Sequence, residues 1–569
     1  MKKVRLLALI LVLLLVFASC SQGTTPSSSA GTDAPASSSD SSTSSEGSTE
    51  EITDPATGQS EELITITAVN IIDSMTQDRV YNATGESPED NRWTKLIAER
   101  LGYKIEYLWL VNDQEQYDQK FNTSIAVGDI PDIVRLNKIQ FGQAMQGDVL
   151  AEMGSLYDEY ASPLLKEIVA DAGPLPVTAA TVDGKLMALP VVDADIERGG
   201  VMWVRQDWLD QIGAEAPTTI DEMIDVMTKF KEIAGDGAVG LALEKKPFEY
   251  NSQYRINQFC NAFGAYPQTW IEKDGQLVYG SVQPEMKEAL AKLNEIYNLG
   301  LIDTEFIVKD GTKVNEAIAS GKNGLFYGAH WSSLNAIQDC INNDPEAWWE
   351  PIDIPSVDGT PVKVGLEMAT NVWFGASVNC SNPEVVIQLA NLYCEKTFDP
   401  ELQEYEYYSN PGGNAEGLWK LSPVYMMTPL KNIDTTRAIR PYLEAGDRTG
   451  GGELYGEQLT MLQYAYDGRK GGEDRLLTGW NRVFGIDGSC EIQGNQWDNG
   501  NYVTSAFYAA PTETMASSKT ILDSAFDAEV IKIISGQSPV DAFDAAVEAW
   551  LSGGGQKMTD EVNEWYQAQ

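Results

Sequence analysis

From residue 63 onward, apolar and polar positions along the chain switch repeatedly between two periods. Leu63-Ile64-Thr65-Ile66-Thr67-Ala68-Val69 alternates every second residue and predicts a strand. A polar loop runs to Asp90-Asn91. Trp93 to Leu101 then follows helical spacing, with Gly102 as its stop. Lys104-Ile105-Glu106-Tyr107-Leu108-Trp109 predicts a second strand. A helix through Tyr117 to Ile125 leads into the short strand Ile133-Val134. The order strand, helix, strand, helix, strand predicts a parallel sheet covered by helices.

The same alternation returns further on. Gly184 to Pro190 reads as a turn and strand, and Val201-Met202-Trp203-Val204 as a strand feeding a helix at Gln206-Asp207-Trp208-Leu209. Pro217-Thr218-Thr219 opens a helix through Phe230, with Thr219 placed to cap it. Pro284 to Leu299 is a long amphipathic helix, Gly324-Leu325-Phe326-Tyr327-Gly328 a buried strand, and Pro383 to Glu395 a further helix.

The first 62 residues differ in kind. Met1-Lys2-Lys3-Val4-Arg5 is basic, and Leu6 to Phe17 is apolar but short for a bilayer. Ala18-Ser19 supplies the small residues of a secretory cut. The Ser/Thr/Gly/Pro tract that follows has almost no large apolar side chains, so it cannot offset the entropy of ordering. A coil of ~40 such residues reaches roughly 35 Å. Phe17-Ala18-Ser19-Cys20 resembles the lipobox of bacterial lipoproteins, which implies a cut before Cys20 and a lipid on its sulfur.

Charge narrows the function. There are 84 acidic and 40 basic residues, a formal net charge of −44, which excludes the basic footprint that nucleic acid requires. It equally opposes electrostatic docking on anionic lipid. Beyond Cys20 remain Cys260, Cys340, Cys380, Cys394 and Cys490, an odd and widely spaced set that reads as free buried thiols, with one disulfide left open. No pattern suggests a zinc site, and no cofactor or metal is expected. His330 is the single histidine, and no nucleophile-elbow pattern accompanies it.

Four segments in order carry a resemblance to family 1 extracellular solute-binding proteins, the lipoprotein receptors of ABC importers for sugars. Gly128-Asp129-Ile130-Pro131-Asp132-Ile133-Val134 resembles their GDxPDhh turn. Asp183 to Pro190, followed by Trp203 to Leu209 and Pro217-Thr218-Thr219, resembles their crossover between lobes. Gly321 to Trp331 resembles their GKxAMxxxGxW strand and loop. Phe543 to Trp550, Gly553-Gly554 and Thr559 to Tyr566 resemble the closing helix and tail of long Firmicutes-type members.

The resemblance implies an α/β fold: a two-lobed periplasmic-binding-protein-like clamp with hinge strands and a ligand cleft. The expected organisation is a signal peptide over 1–19, and a lipidated Cys20 with a linker over 20–62. Lobe 1 is expected over 63–189 with a return from about 372, and lobe 2 over 192–368 with later segments. Residues 400–569 are shared between the lobes. Hinges are expected at Leu189 to Val192 and Asn371 to Ala376.

A sugar offers hydroxyls at its edge and C–H groups on its faces, so its cleft needs flat aromatics beside planar hydrogen-bonding groups. By resemblance Trp331 takes the sugar-stacking place, at a strand end where α/β ligands collect. His330 adjoins it. Asn91 and Trp93 follow the first strand, and Asn91 reads equally as a helix cap, Trp93 as a core residue. Arg135 follows Ile133-Val134. Arg198 closes the acidic segment after the first crossover, Trp373 lies on the second, and Tyr408 stands near a Pro-Gly-Gly loop.

The expected function is a monomeric, non-enzymatic lipoprotein on the outer face of the cytoplasmic membrane. It would capture a carbohydrate, an oligosaccharide by expectation, and deliver it to ABC permease subunits. A sensing receptor, a binder of peptides or other polar solutes, and a lipid-anchored glycoside hydrolase with two facing carboxylates remain the alternatives.

Overall fold

The computed structural model describes residues 63–568 apart from 194, 236, 249–253, 368–369, 409–416, 455 and 510. Before residue 63 it describes only a short antiparallel pairing of Ile52–Thr53 with Ser60–Glu61, where composition predicts no structure. The signal segment and Cys20 lie outside the described residues.

The predicted elements form, a little longer than periodicity suggests. The first strand is Ile64–Ile71 and the second Tyr103–Val111, paired in parallel. Between them the helix Arg92–Leu101 starts on Asn91, whose side chain accepts from the backbone of Trp93 and Thr94, while the Thr94 hydroxyl reciprocates. It stops at Gly102, which takes φ 71°, a left-handed conformation glycine adopts without strain. Thr219 caps the helix Ile220–Ala234 through the same reciprocal bonding with Glu222. Asp132, in the turn before the strand Ile133–Leu136, spends its carboxylate on the amide and hydroxyl of Thr67, at 2.8 and 2.7 Å.

Beyond the first strand pair, the sheets depart from the expected parallel order. Trp373–Ala376 lies antiparallel between Ile133–Leu136 and Leu189–Pro190. In the second half, the strands run in the order Val239–Leu241, Asn323–Gly328, Val201–Arg205, Trp349–Ile352, and only the first pair is parallel. The cause is connectivity. A strand that enters after the chain has crossed from the other half is not bound to the same-edge return of a local strand–helix–strand unit, and so is free to pair antiparallel.

Apolar side chains gather into two sets of cores. Ile66, Trp93, Ile97, Val192, Phe374, Tyr393 and Met426 belong to the first, with Val134, Phe141 and Trp373 in a neighbouring cluster. Ile196, Leu241, Leu325, Leu366, Ile433, Leu462 and Val530 belong to the second, with Trp203, Phe326 and Trp349 beside them. The chain therefore passes from one core to the other between Val192 and Ile196, between Leu366 and Trp373, and between Met426 and Ile433. Two joints are bonded together, as the Asp195 carboxylate accepts from the Glu367 amide at 2.7 Å. The five cysteines beyond Cys20 are all buried and free.

Candidate functional site: a cleft between the lobes

The strand Asn323–Gly328 is buried along its whole length and ends at the joint between the lobes. The short turn His330–Leu334 follows and sets Trp331, half-buried, into a cleft of about 480 Å³. Two more tryptophans share this cleft. Trp419 arrives from the first lobe on the turn Leu418–Leu421, and Trp480 from the second on the helix Thr478–Phe484. Each is braced from behind. Trp419 meets Tyr425 edge-on at 5.0 Å, and Trp480 lies nearly parallel to Phe484 at 6.1 Å. Three half-exposed indoles drawn from both lobes give flat apolar area with a polar N–H edge, the surface on which a sugar face can lie.

Polar side chains fill the intervals. Asp73, Arg79 and Lys420 come from the first lobe, and Asn432 and Glu457 from the second. Lys420 donates to the Thr76 hydroxyl at 3.2 Å and lies 4.0 Å from Asp73. A smaller chamber of about 220 Å³ shares His330, Trp331, Trp419 and Asn432 with the main cleft, and continues it inward to Asp193, Glu197, Arg198, Asn371 and Tyr425.

The inner wall is organised by one buried carboxylate. Glu197 accepts from the amides of Asn432 and Ile433 and from the Asn432 side chain, which places it at the N-terminus of the helix Lys431–Ala445. Burial, helped by nearby Asp193, still pushes its pKa up to about 7. Asp195 rises to about 7 for the same leading reason. His330 lies between these groups. Its Nδ1 is 3.0 Å from the Glu197 carbonyl, and its Nε2 is 3.2 Å from the Asn432 amide nitrogen. Burial lowers its pKa to about 4, so the ring is neutral at physiological pH. Nδ1 then donates to the carbonyl while Nε2 accepts from Asn432, whose side-chain amide is thereby fixed in orientation.

Of the residues singled out from sequence, Trp331, His330 and Tyr408 line the main cleft, and Arg198 lines the inner chamber, 3.4 Å from Asp193. Arg135 stands behind the chamber wall next to Tyr425, and its Nε has no hydrogen-bond partner among the described residues. Three others lie away from the cleft. Asn91 is fully buried and spent as a helix cap. Trp93 is fully buried against Tyr393, stacked at 5.3 Å. Trp373 is packed on Phe141 at 5.6 Å within the first lobe's core. For the two tryptophans, the helix or strand that carries the residue turns it toward the core. Sequence reading missed Trp419, Trp480, Arg79, Lys420, Asn432 and Glu457. Trp480 had a signal available, since it follows a Gly at the start of a short helix between two glycine-rich stretches. Among the described residues no group of three or more His, Cys, Asp or Glu is placed to hold a metal ion.

Comparison of the fold with solved structures decides its class. Over 89% of this chain it superposes on 99% of an HMO-binding, ABC-transporter-associated solute-binding protein from Bifidobacterium longum infantis, with a TM-score of 0.61 at 16% identity. The chain has the two-lobed fold of the solute-binding proteins. The substrate-binding protein FusA of Streptococcus pneumoniae, solved with kestose, superposes over the same 89% with a TM-score of 0.58 at 13% identity.

In sequence the chain is 25% identical over 278 residues to lipoprotein LipO of Bacillus subtilis, covering 47% of this chain and 53% of that one. It is 24% identical over 258 residues to the polygalacturonan/rhamnogalacturonan-binding protein YtcQ of the same organism, covering 44% and 49%. To FusA it is 26% identical over 261 residues, covering 42% and 46%. The chain thus spans about half the length of the curated relatives it matches. No protein-family model matches it. The resemblance to family 1 solute-binding proteins and the α/β clamp expected from it both hold.

Proposed function

We propose that this protein captures a carbohydrate, an oligosaccharide, in the cleft between its lobes and delivers it to the permease of an ABC importer. The observation that carries this reading is the convergence of Trp331, Trp419 and Trp480 from both lobes on one cleft of about 480 Å³, a size and lining suited to a small ligand of several rings. Binding is closure without chemistry. A ligand that touches both walls has higher affinity for the closed arrangement and shifts the population toward it. Trp331, with Trp419, Trp480 and Tyr408, supplies the stacking surface. Asn432, Lys420, Arg79 and Glu457 serve hydroxyls in the main cleft, and Arg198 serves them in the inner chamber, with Arg135 behind its wall. His330 acts as the fixed support of Asn432.

The names of the relatives support this reading, since YtcQ and FusA are named for polysaccharide and fructooligosaccharide ligands and LipO for its lipoprotein character. We place the protein on the outer face of the cytoplasmic membrane as a monomer, held by a lipid on Cys20. Among the described residues no helix is long and apolar enough to cross a membrane.

The test is a thermal-shift screen of the purified protein against mono- and oligosaccharides, with amino acids and peptides alongside. A stabilised transition with one glycan class is expected, growing with ligand concentration as mass action requires. A shift with peptides alone would overturn the carbohydrate assignment.

A further inference from the structure

The first lobe's wall of the cleft is not built from its sheet. Tyr405 and Tyr408 lie on and just after the turn Tyr405–Tyr407, and Trp419 and Lys420 on the turn Leu418–Leu421. Each is a single 3-10 turn whose own backbone bonds, Tyr408 N–H to the Tyr405 carbonyl and Lys420 N–H to the Gly417 carbonyl, shape it without tying it to the core. The Glu404 amide ties the first turn to the Lys396 carbonyl, and the fully buried Trp93 joins both turns to the core and to each other. Its indole Nε1 lies 3.1 Å from the Tyr407 carbonyl and 3.2 Å from the Leu418 carbonyl, so one N–H serves both turns. Its ring stacks on Tyr393 at 5.3 Å and takes Tyr407 edge-on at 5.1 Å. The preceding residue adds a second tie, since the Arg92 guanidinium donates to the Glu406 carbonyl and is itself held by Glu86 at 3.1 Å. The backbone closes the arrangement, with the Trp419 amide donating to the Tyr408 carbonyl at 3.2 Å.

We infer that Trp93, seconded by Arg92, is the positioning residue for the ligand-facing wall of the first lobe: a single core indole whose N–H holds the two turns that carry Tyr405, Tyr408, Trp419 and Lys420. This rests on the cleft being the ligand site. Trp93 itself never touches ligand. Its effect on affinity comes from pre-organisation, because a wall already in place costs no ordering on binding. An N–H shared by two carbonyls has no substitute among apolar side chains, so its loss removes one bond from each turn.

The experiment compares the full protein with Trp93→Phe, which keeps an aromatic ring on Tyr393 and deletes the N–H, and with Arg92→Met, which leaves the core intact. Hydrogen exchange is read by mass spectrometry at Tyr405–Tyr408 and Leu418–Leu421. Maltotriose, kestose and trigalacturonic acid are titrated calorimetrically. The expected result is exchange at least tenfold faster at these two turns in Trp93→Phe, and several-fold faster at Tyr405–Tyr408 in Arg92→Met. Ile64–Ile71 and Val385–Thr397 keep their wild-type protection, and any probe the wild type binds is bound about tenfold more weakly by Trp93→Phe. Unchanged exchange at the turns overturns the inference. So does a loss spread evenly over the first lobe, which would make Trp93 an ordinary core residue, and so does faster exchange with undiminished affinity. If the wild type binds none of the three probes, the carbohydrate reading fails for them, while the exchange comparison still decides whether Trp93 holds the wall.

Discussion

The Lys431 ammonium of the second lobe lies 4.3 Å from the ring centroid of Tyr408, which belongs to the opposite wall of the cleft. The same ammonium bonds Glu457 at 2.6 Å, and only 5% of the Lys431 side chain is exposed. One buried cation thus joins a carboxylate of its own lobe to an aromatic face of the other. Removing one partner of such a pair costs more than removing both, since the survivor stays buried and unpaired. Lys431→Met is therefore expected to lower stability by about 3 kcal/mol, and the double variant Lys431→Met with Glu457→Gln to recover most of the loss. Urea titrations of the three proteins check this, and a single variant as stable as wild type would contradict it.

The three cleft tryptophans should weigh unequally. Trp331 and Trp419 line both the main cleft and the inner chamber, whereas Trp480 lines the main cleft alone. Truncating a central aromatic in a desolvated site costs about 2 kcal/mol or more. Trp331→Ala and Trp419→Ala are expected to weaken glycan binding by at least about thirtyfold, and Trp480→Ala by less for ligands short enough to occupy only the inner end. Calorimetric titration across a series of chain lengths checks the order. A larger loss for Trp480→Ala with the shortest ligand would reverse the assignment of inner and outer ends.

The place of Trp331 on the cleft was legible from the family resemblance together with a buried strand that ends on Gly328, three residues before it. The helices were legible through their caps, Asn91 and Thr219 above all. Trp419 was not, because it sits on a four-residue turn with no period to show which way it faces. Trp93 reads both as a cleft candidate and as a core residue, because it opens a helix after the first strand; the structure turns it to the core, stacked on Tyr393 and bonded to the Leu418 carbonyl. The antiparallel entry of Trp373–Ala376 was hidden likewise, since pairing direction depends on where the chain returns from.

All five cysteines beyond Cys20 are buried, and burial pushes the Cys380 thiol up to about 11 and the other four upward as well. A thiol reacts as its thiolate, so both access and ionisation are suppressed. Ellman's reagent at pH 8 is expected to label none of them in the native protein and all five in guanidinium. Rapid labelling of even one native thiol would show that its lobe opens on the timescale of the assay.

The inner wall makes a prediction about pH in which two groups oppose each other. His330 titrates near 4 when folded, below its ordinary 6.5, so between these values the unfolded chain binds more protons. Stability from this group is present above pH 6.5 and is lost as pH falls toward 4. Glu197 titrates near 7 when folded, above its ordinary 4.5, so in that window the folded chain binds more protons. Its contribution has the other sign: it destabilises above pH 7 and the penalty disappears as pH falls toward 4.5. Asp195 acts in the same direction as Glu197. Between pH 6.5 and 4.5 the histidine and the two acids therefore offset one another. Glu197→Gln keeps an acceptor for the Asn432 and Ile433 amides and removes one acid's share, so its melting temperature should fall more steeply on acidification than that of wild type. His330→Gln removes the opposing share, so its melting temperature should fall less steeply than wild type over the same interval. Calorimetric scans at pH 7, 6, 5 and 4.5 separate the two variants by slope, whatever their absolute stability. Parallel curves for all three proteins would mean that neither group changes its proton affinity on folding.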